Sequence, residues 1–432
     1  NTTAHYQFAW LPRGEDNSTM TMSGTFSLAA GASARYENVL SAVYGAEPDV
    51  VGALALSADN ADLIAMSRTY NIPGTKVAGT FGQELPGIPA DVMIPSGERR
   101  RIIFMSEDGD VRSNVGCQNG INAEVVINIQ LFRADGTSLE TKYMTLAPRS
   151  NNQINRIFRN YAPVNGYVDV WTDTPGATFY CYGSVLDNLT SDPTTILPIT
   201  PSTGLNYFIP AAALAAGAQG AFFQTDVDVN NKGGTSASYS FAWLPRGSDN
   251  SQPFTSGTYT LGPGRSARFE NVLSEVFVAE PDIAGALLIS SSSRNLIAMS
   301  RTYNLPGGKV AGTFGQALPG VQSDRLIPAG QKRRIVFMSE NDDLRANIGC
   351  QNGVNAPIRI NIELRDGTGQ LLDTRNMDLA PRANNQINRI FRNYAPVNGY
   401  VDVWTDTPGA TFYCYGSVLD NLTSDPTTIL PQ

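Results

Sequence analysis

"TDTPGATFYCYGSV", residues 172–185, decides the fold class. Its first half sets Pro and Gly among Thr and Asp, the composition of a tight turn, because Pro presets φ and Gly accepts left-handed backbone. Its second half alternates with period two: Phe179, Cys181 and Val185 fall on one face, Tyr180, Tyr182 and Ser184 on the other. That is a strand with one face in a core and the other toward water. "YSFAW" (residues 239–243) reads the same way, and turn clusters such as "PRGEDNS" and "RADGTS" recur every ten residues or so, the spacing of an antiparallel sandwich. Only "YENVLSAVYG" from Tyr36 and "INRIFRNYA" from Ile154 look helical, and both are short enough to be crossings between two sheets. The expected class is all-β: tandem immunoglobulin-like β-sandwich domains of about 110 residues.

The strand belongs to a longer block, residues 151–198, that recurs letter for letter at 384–431. A shift of 233 residues aligns the rest as well: "FAWLPRG" at Phe8 and Phe241, "RTYN" at Arg68 and Arg301, "GTFGQ" at Gly79 and Gly312, "VGCQNG" at Val115 against "IGCQNG" at Ile348. The chain is a tandem duplication, two copies of a two-domain repeat. Recent duplication accounts for the identical block more simply than selection on each of its side chains. An older repeat lies inside each copy, where "YFIPAAALAAGAQGAFFQTDVDVNNKGG" from Tyr207 shares its layout with "RLIPAGQKRRIVFMSENDDLRANIGCQNG" from Arg325. Four units result: 1–86, 87–199, 200–320 and 321–432. Unit 1 lacks its first strand, the counterpart of "GAFFQTDVDV" in unit 3, and an open edge of that kind is something native proteins cover.

The 432 residues carry a formal charge of −8, with a pI near 4.9 and no Lys/Arg run, which argues against a nucleic-acid partner. An apolar fraction of 42% against 16% charged residues, with 40 Gly and 26 Pro, describes a folded chain rich in turns. The longest small-apolar run, "AAALAAGA" at 211–218, is far below membrane-spanning length. With no signal sequence from Asn1 onward, the chain reads as a mature or excerpted one without a membrane span. Cys117, Cys181, Cys350 and Cys414 fall as one pair in the second unit of each copy. Pairing Cys117 with Cys181 and Cys350 with Cys414 is the solution symmetric under the 233-residue shift, and it resembles the bridge between sheets of immunoglobulin domains; facing free thiols are the alternative. A disulfide places the protein outside the cell or on its surface. Asn17, Asn188 and Asn421 head N-x-S/T sequons and are the candidate glycosylation sites.

Catalysis finds little to use. The one histidine, His5, has no histidine counterpart in the second copy, which argues against Ser/His/Asp and Cys/His mechanisms. Cys/His metal spacings are missing, and although Asp226, Asp228 and Asn230 alternate as at the start of a calcium loop, neither the Gly nor the Glu that completes one follows. Asp169, Asp173 and Asp187, repeated as Asp402, Asp406 and Asp420, would serve glycoside hydrolysis only as close pairs, and turn formation explains them more cheaply. The expectation is no enzyme, no cofactor and no metal. Tyr70, Trp171, Tyr180 and Tyr182 with their repeats, Trp404 among them, are the candidates for a sugar-stacking face.

Units ending "SRTYN…GTFGQ" (residues 67–83) alternate here with units ending "VLDNLTSDPT" (residues 185–194). Over essentially the whole chain this pattern resembles a tandem β-sandwich repeat of secreted and surface-exposed bacterial proteins. The resemblance implies stalks, spacers or accessory domains of unassigned role; the cysteine pair and the short first unit depart from it. The function expected is an extracellular structural protein, a rod of four sandwiches forming a subunit of a surface filament or stalk, assembled with itself through inter-subunit strand complementation. The alternative is a carbohydrate-binding or adhesive accessory module with glycans as partners.

Overall fold

A computed structural model describes residues 2–72, 79–200, 202–306 and 312–432. It is nearly all β, 54% strand and 6% helix, arranged as tandem β-sandwich domains. In unit 2 one sheet orders Ser138–Leu146, Val125–Arg133, Val164–Thr172 and Arg100–Glu107, and the other orders Asn151–Ile154, Val111–Asn119, Thr178–Asp187 and Pro193–Ile196. Alternation builds the core between them: Val125, Ile127, Ile129 and Leu131 all point inward from one strand and are fully buried. Unit 4 repeats this arrangement strand for strand.

Cys117 is bonded to Cys181 and Cys350 to Cys414. The bridge does not join the two sheets, as the immunoglobulin likeness implied. Cys117 and Cys181 stand directly opposite each other on neighbouring antiparallel strands of one sheet, and so do Cys350 and Cys414. Register, which composition does not reveal, brings each pair together side by side. A second expectation also changes: the outer face of the Thr178–Asp187 strand is not simply wet. In the unit 4 copy Tyr413 and Tyr415 are buried among Phe208, Leu244, Leu288 and Leu318 of unit 3, because a neighbouring unit packs there.

Unit 3 is one folded-over sheet held together by a hairpin. Its first strand, Asn206–Ala216, runs along Ile283–Ser291 on one side; on the other it takes Val321–Gln322 at its start and Phe222–Asn231 at its end. Phe222–Asn231 is in turn flanked by Leu296–Asn304 and Ser266–Phe269. Ile209, Leu214, Val227 and Val229 of the hairpin close the core over Leu287, Ile289, Leu296 and the helix residues Val272 and Leu273.

The hairpin has no counterpart among residues 2–86, because under the 233-residue shift 206–231 would fall before Asn1. Ala4–Pro12 pairs with Thr21–Met22, Phe26–Leu28 and Gly52–Ala58; separately, Met66–Asn71 pairs with Phe81–Pro86. The consequence is legible in nine residues, "LIAMSRTYN", spelled identically at 63–71 and 296–304. Every residue of Leu296–Asn304 is buried, whereas Met66–Asn71 alternates between half-buried and exposed. Ile64 is 36% exposed where Ile297 is 1%, and Leu56 is 36% exposed where Ile289 is 0%.

Each disulfide closes a sequence separation of 64 residues, which on the chain-entropy model stabilises by about 4 kcal/mol. Replacing Cys117 and Cys181 together by Ser is expected to lower the urea midpoint of the variant accordingly; an unchanged midpoint would contradict the assignment of a stabilising role to this bond.

Candidate functional site: two reciprocal joints and an open domain

The motifs that mark the repeat meet each other. Asp187 first closes its own turn, its Oδ1 accepting from the N–H groups of Leu189 and Thr190 at 2.8 and 2.9 Å. Its Oδ2 then reaches across to unit 3 and accepts from the backbone N–H and the hydroxyl of Thr313, both at 2.9 Å. Asp192 Oδ2 accepts from the Gly315 N–H at 2.8 Å and faces Arg301 Nη2 at 3.7 Å, while Arg301 Nε donates to Thr194 Oγ1 at 2.9 Å. Gly312 sits at φ +80°, and a Cβ there would come within 2.6 Å of Thr190 Cγ2, so both conformation and space require glycine.

The same set recurs between unit 4 and unit 1. Asp420 Oδ2 accepts from the N–H and hydroxyl of Thr80 at 2.7 and 2.9 Å. Asp425 Oδ2 accepts from the Gly82 N–H at 2.9 Å and faces Arg68 Nη2 at 3.3 Å. The four units therefore close on themselves and do not extend as the rod expected. Each copy carries both halves of the joint, so two copies satisfy one another reciprocally, the logic of an isologous dimer fused into one chain. Phe81 and Phe314, equivalent under the 233-residue shift, meet at 5.5 Å between ring centroids. The identical block supplies both acidic motifs and also Asn151 and Asn384, whose side chains donate to Leu11 O and Leu244 O at 2.9 and 2.8 Å, joining units 1 to 2 and 3 to 4.

Burial alone would raise the Asp187 carboxyl, yet the N–H groups of Thr190 and Leu189 and the Thr313 contacts hold it below the ordinary carboxylate range. Asp192 and Asp425 behave oppositely. Burial pushes both upward against the pull of Arg301 and Arg68, Asp425 to about 7, and the charge of Asp425 raises Asp192 further. Each keeps its Oδ1 without a hydrogen-bond partner.

A cavity of about 370 Å³ lies where Phe81–Pro86, Pro193–Ile196, Phe314–Pro319 and Pro426–Ile429 converge, with Gln83, Glu84, Tyr180, Gln316 and Tyr413 in its lining. Ser184 donates to Gln83 Oε1 at 2.9 Å and Ser417 to Gln316 Oε1 at 3.2 Å. Glu84 breaks the symmetry, its counterpart being Ala317, and burial pushes its carboxyl up to about 8.

The other sequence candidates are spent on structure. Asp169 pairs with Arg101 at 2.7 Å and Asp402 with Arg334 at 2.7 Å; Asp173 and Asp406 accept from the indole N–H of Trp171 and Trp404, each at 3.1 Å. Asp228 pairs with Arg268 at 2.9 Å, Asn230 accepts from Arg101 at 2.9 Å, and Asp226 accepts from the Asn271 N–H at 2.7 Å. One face of Trp171 is covered by Arg99 and one face of Trp404 by Lys332, at 3.7 and 4.0 Å. His5 lies at the surface with Nδ1 2.8 Å from Asp59. The three sequon asparagines have turn roles: Asn17 is buried and donates from Nδ2 to Pro12 O, while Asn188 and Asn421 donate from Nδ2 to Gly109 O and Asp342 O. Among the described residues no three His, Cys, Asp or Glu side chains gather as a metal site, and no helix is long and apolar enough to cross a membrane.

No protein-family model matches this chain. No curated protein matches it either. Among solved structures it is similar to a tetra-tandem repeat from the extending region of a large adhesion protein (9% identity, 100% of this chain and 91% of that one, TM-score 0.12). It is also similar to an α-L-rhamnosidase of Streptomyces avermitilis (8%, 95% and 54%, TM-score 0.13) and to two B repeat units of the collagen-binding protein of Staphylococcus aureus (10%, 99% and 93%, TM-score 0.09).

The joint carries a pH signature. Because the folded pKa of Asp425 lies above its ordinary value of 3.8, its contribution to stability is full below about pH 4, declines as pH rises and is lost by about 7. Wild type is therefore expected to lose stability relative to Asp425→Asn between pH 4 and 7 in parallel urea titrations; a difference that stays flat across this range would refute the assignment.

Proposed function

We propose that this chain is a non-enzymatic structural protein of the cell surface or extracellular space, a subunit of a filament or stalk that assembles through strands passed between subunits. Unpaired strand edges in unit 1, to be completed by a strand from another chain or from residues preceding Asn1, support the reading. Gly52–Ala58 and Met66–Asn71 each have one strand partner where their counterparts in unit 3 have two, and apolar side chains lie uncovered beside them. Unpaired edges of this kind recruit other strands. The two disulfides support an oxidising compartment, and engagement of the candidate carboxylates in ion pairs and turns argues against hydrolysis. The second reading, a carbohydrate-binding or adhesive module, has one support of its own, the cavity bounded by Gln83, Glu84, Tyr180 and Tyr413.

Sedimentation and negative-stain images of the full chain test this. Concentration-dependent linear assemblies are expected, and Leu56→Lys combined with Ile64→Lys, both at exposed positions, is expected to abolish them without lowering the melting midpoint. A monomer at every concentration would reject the filament. Glycan binding lost on Gln83→Ala would favour the second reading.

A further inference from the structure

We propose that the face by which the two copies meet is a self-recognition surface that also works between separate molecules: residues 200–432 pair with a second copy of themselves about a two-fold axis, each in the place that residues 1–199 take here. This goes beyond the strand-complementation reading and does not rest on it.

One of the two joints already forms without a connecting segment. Units 2 and 3 follow each other in the chain and units 4 and 1 do not, yet the geometry is the same. Asp187 reaches the N–H and hydroxyl of Thr313, and Asp420 those of Thr80. In return Thr190 Oγ1 donates to Thr313 O at 2.9 Å, and Thr423 Oγ1 to Thr80 O at 2.8 Å. Arg301 Nε donates to Thr194 Oγ1 and Arg68 Nε to Thr427 Oγ1, both at 2.9 Å. A peptide link between the two units is therefore no condition of the joint.

Residues 200–432 also carry both sides of every one of these contacts. Beside each joint a guanidinium rests on a phenylalanine ring. Arg268 of unit 3 lies over Phe104 of unit 2 at 4.0 Å and donates to Ser106 and Asn165. Arg35 of unit 1 lies over Phe337 of unit 4 at 4.3 Å and donates to Ser339 and Asn398. In a self-pair Arg268 of one molecule meets Phe337, Ser339 and Asn398 of the other, and Asp420 meets Thr313, with no change of residue type. Arg35, Thr80 and Phe104 lie outside the block that is repeated letter for letter, so the match is kept in the part of the sequence that has drifted.

The symmetry fits as well. Phe81 and Phe314 are equivalent positions and touch, 5.5 Å between ring centroids, the mark of pairing about a two-fold axis. In the self-pair Phe314 meets its own copy. Glu84, whose carboxyl residues 1–199 place in the cavity between the converging strands, is replaced by Ala317 on both sides, so the desolvation of that carboxyl drops out. Residues 200–432 are also a body of their own: the buried members of the unit 3 core, the unit 4 core and the cluster between them all fall within 207–429.

The test starts from the full chain, cut after folding at a protease site placed in the connection 200–205. The cut chain is expected to sediment as one particle holding both pieces, and the 200–432 piece, once separated, as a dimer of twice its mass. Phe314→Glu in that piece sets two carboxylates against each other on the axis and should raise the dimer dissociation constant at least tenfold. Mixing it with the Phe314→Lys piece should restore pairing, which a misfolded variant would not do. Separation of the two pieces on cutting, a monomeric 200–432 piece at concentrations where the cut chain stays whole, a dimer indifferent to Phe314→Glu, or failure of the Glu and Lys pieces to pair would overturn the proposal.

Discussion

Two copies of one nine-residue strand, paired on both sides in unit 3 and on one side in unit 1, show the constraint on which this structure depends. These nine residues are fully buried only where a second strand pairs with them and brings its own apolar side chains over the core, because an unpaired, uncovered edge leaves peptide groups that need water. In unit 3 the hairpin of Asn206–Ala216 and Phe222–Asn231 joins both halves of the folded-over sheet, and the core closes over it. In unit 1 the same letters meet no such hairpin. Leu56 and Ile64 are left open to solvent, and the helix Val39–Tyr44 buries nothing, although its counterpart buries Val272 and Leu273.

Between units the organising interaction is a carboxylate that first folds its own turn and then reaches across. Asp187 and Asp420 each bind two N–H groups at home and one threonine abroad. Because the turn is pre-set, the contact orders few new groups when it forms, and little conformational entropy opposes it. Reciprocity arises from duplication: a chain carrying two donor motifs and two acceptor motifs closes both joints on itself. The neighbouring Asp192 and Asp425 are less comfortable. Their unpartnered oxygens and upward-shifted carboxyls mark the joint as a place where burial competes with pairing.

Much of this is legible in the residues. Alternation in "TFYCYGSV" and "YSFAW" marks strands, turn clusters mark short antiparallel ones, and the 233-residue shift exposes the paired cysteines and the short first unit. Register and neighbours stay hidden. Period two says which face Cys181 occupies but not that Cys117 stands opposite it in the same sheet. Tyr413 and Tyr415 read as wet because the unit that covers them lies far away in sequence. The joint is spelled out in "SRTYN", "GTFGQ" and "VLDNLTSDPT", yet its halves are more than a hundred residues apart and nothing local joins them; the sign of it is an Arg in one motif against two Asp in the other.

Native-state hydrogen exchange on residues 63–71 and 296–304 tests the central claim most directly. The two segments are identical in sequence, so their intrinsic rates cancel and the difference reports pairing and burial alone. For the isolated chain the account predicts protection at Ile297–Thr302 exceeding that at Ile64–Thr69 by orders of magnitude; equal protection in the two segments would contradict it.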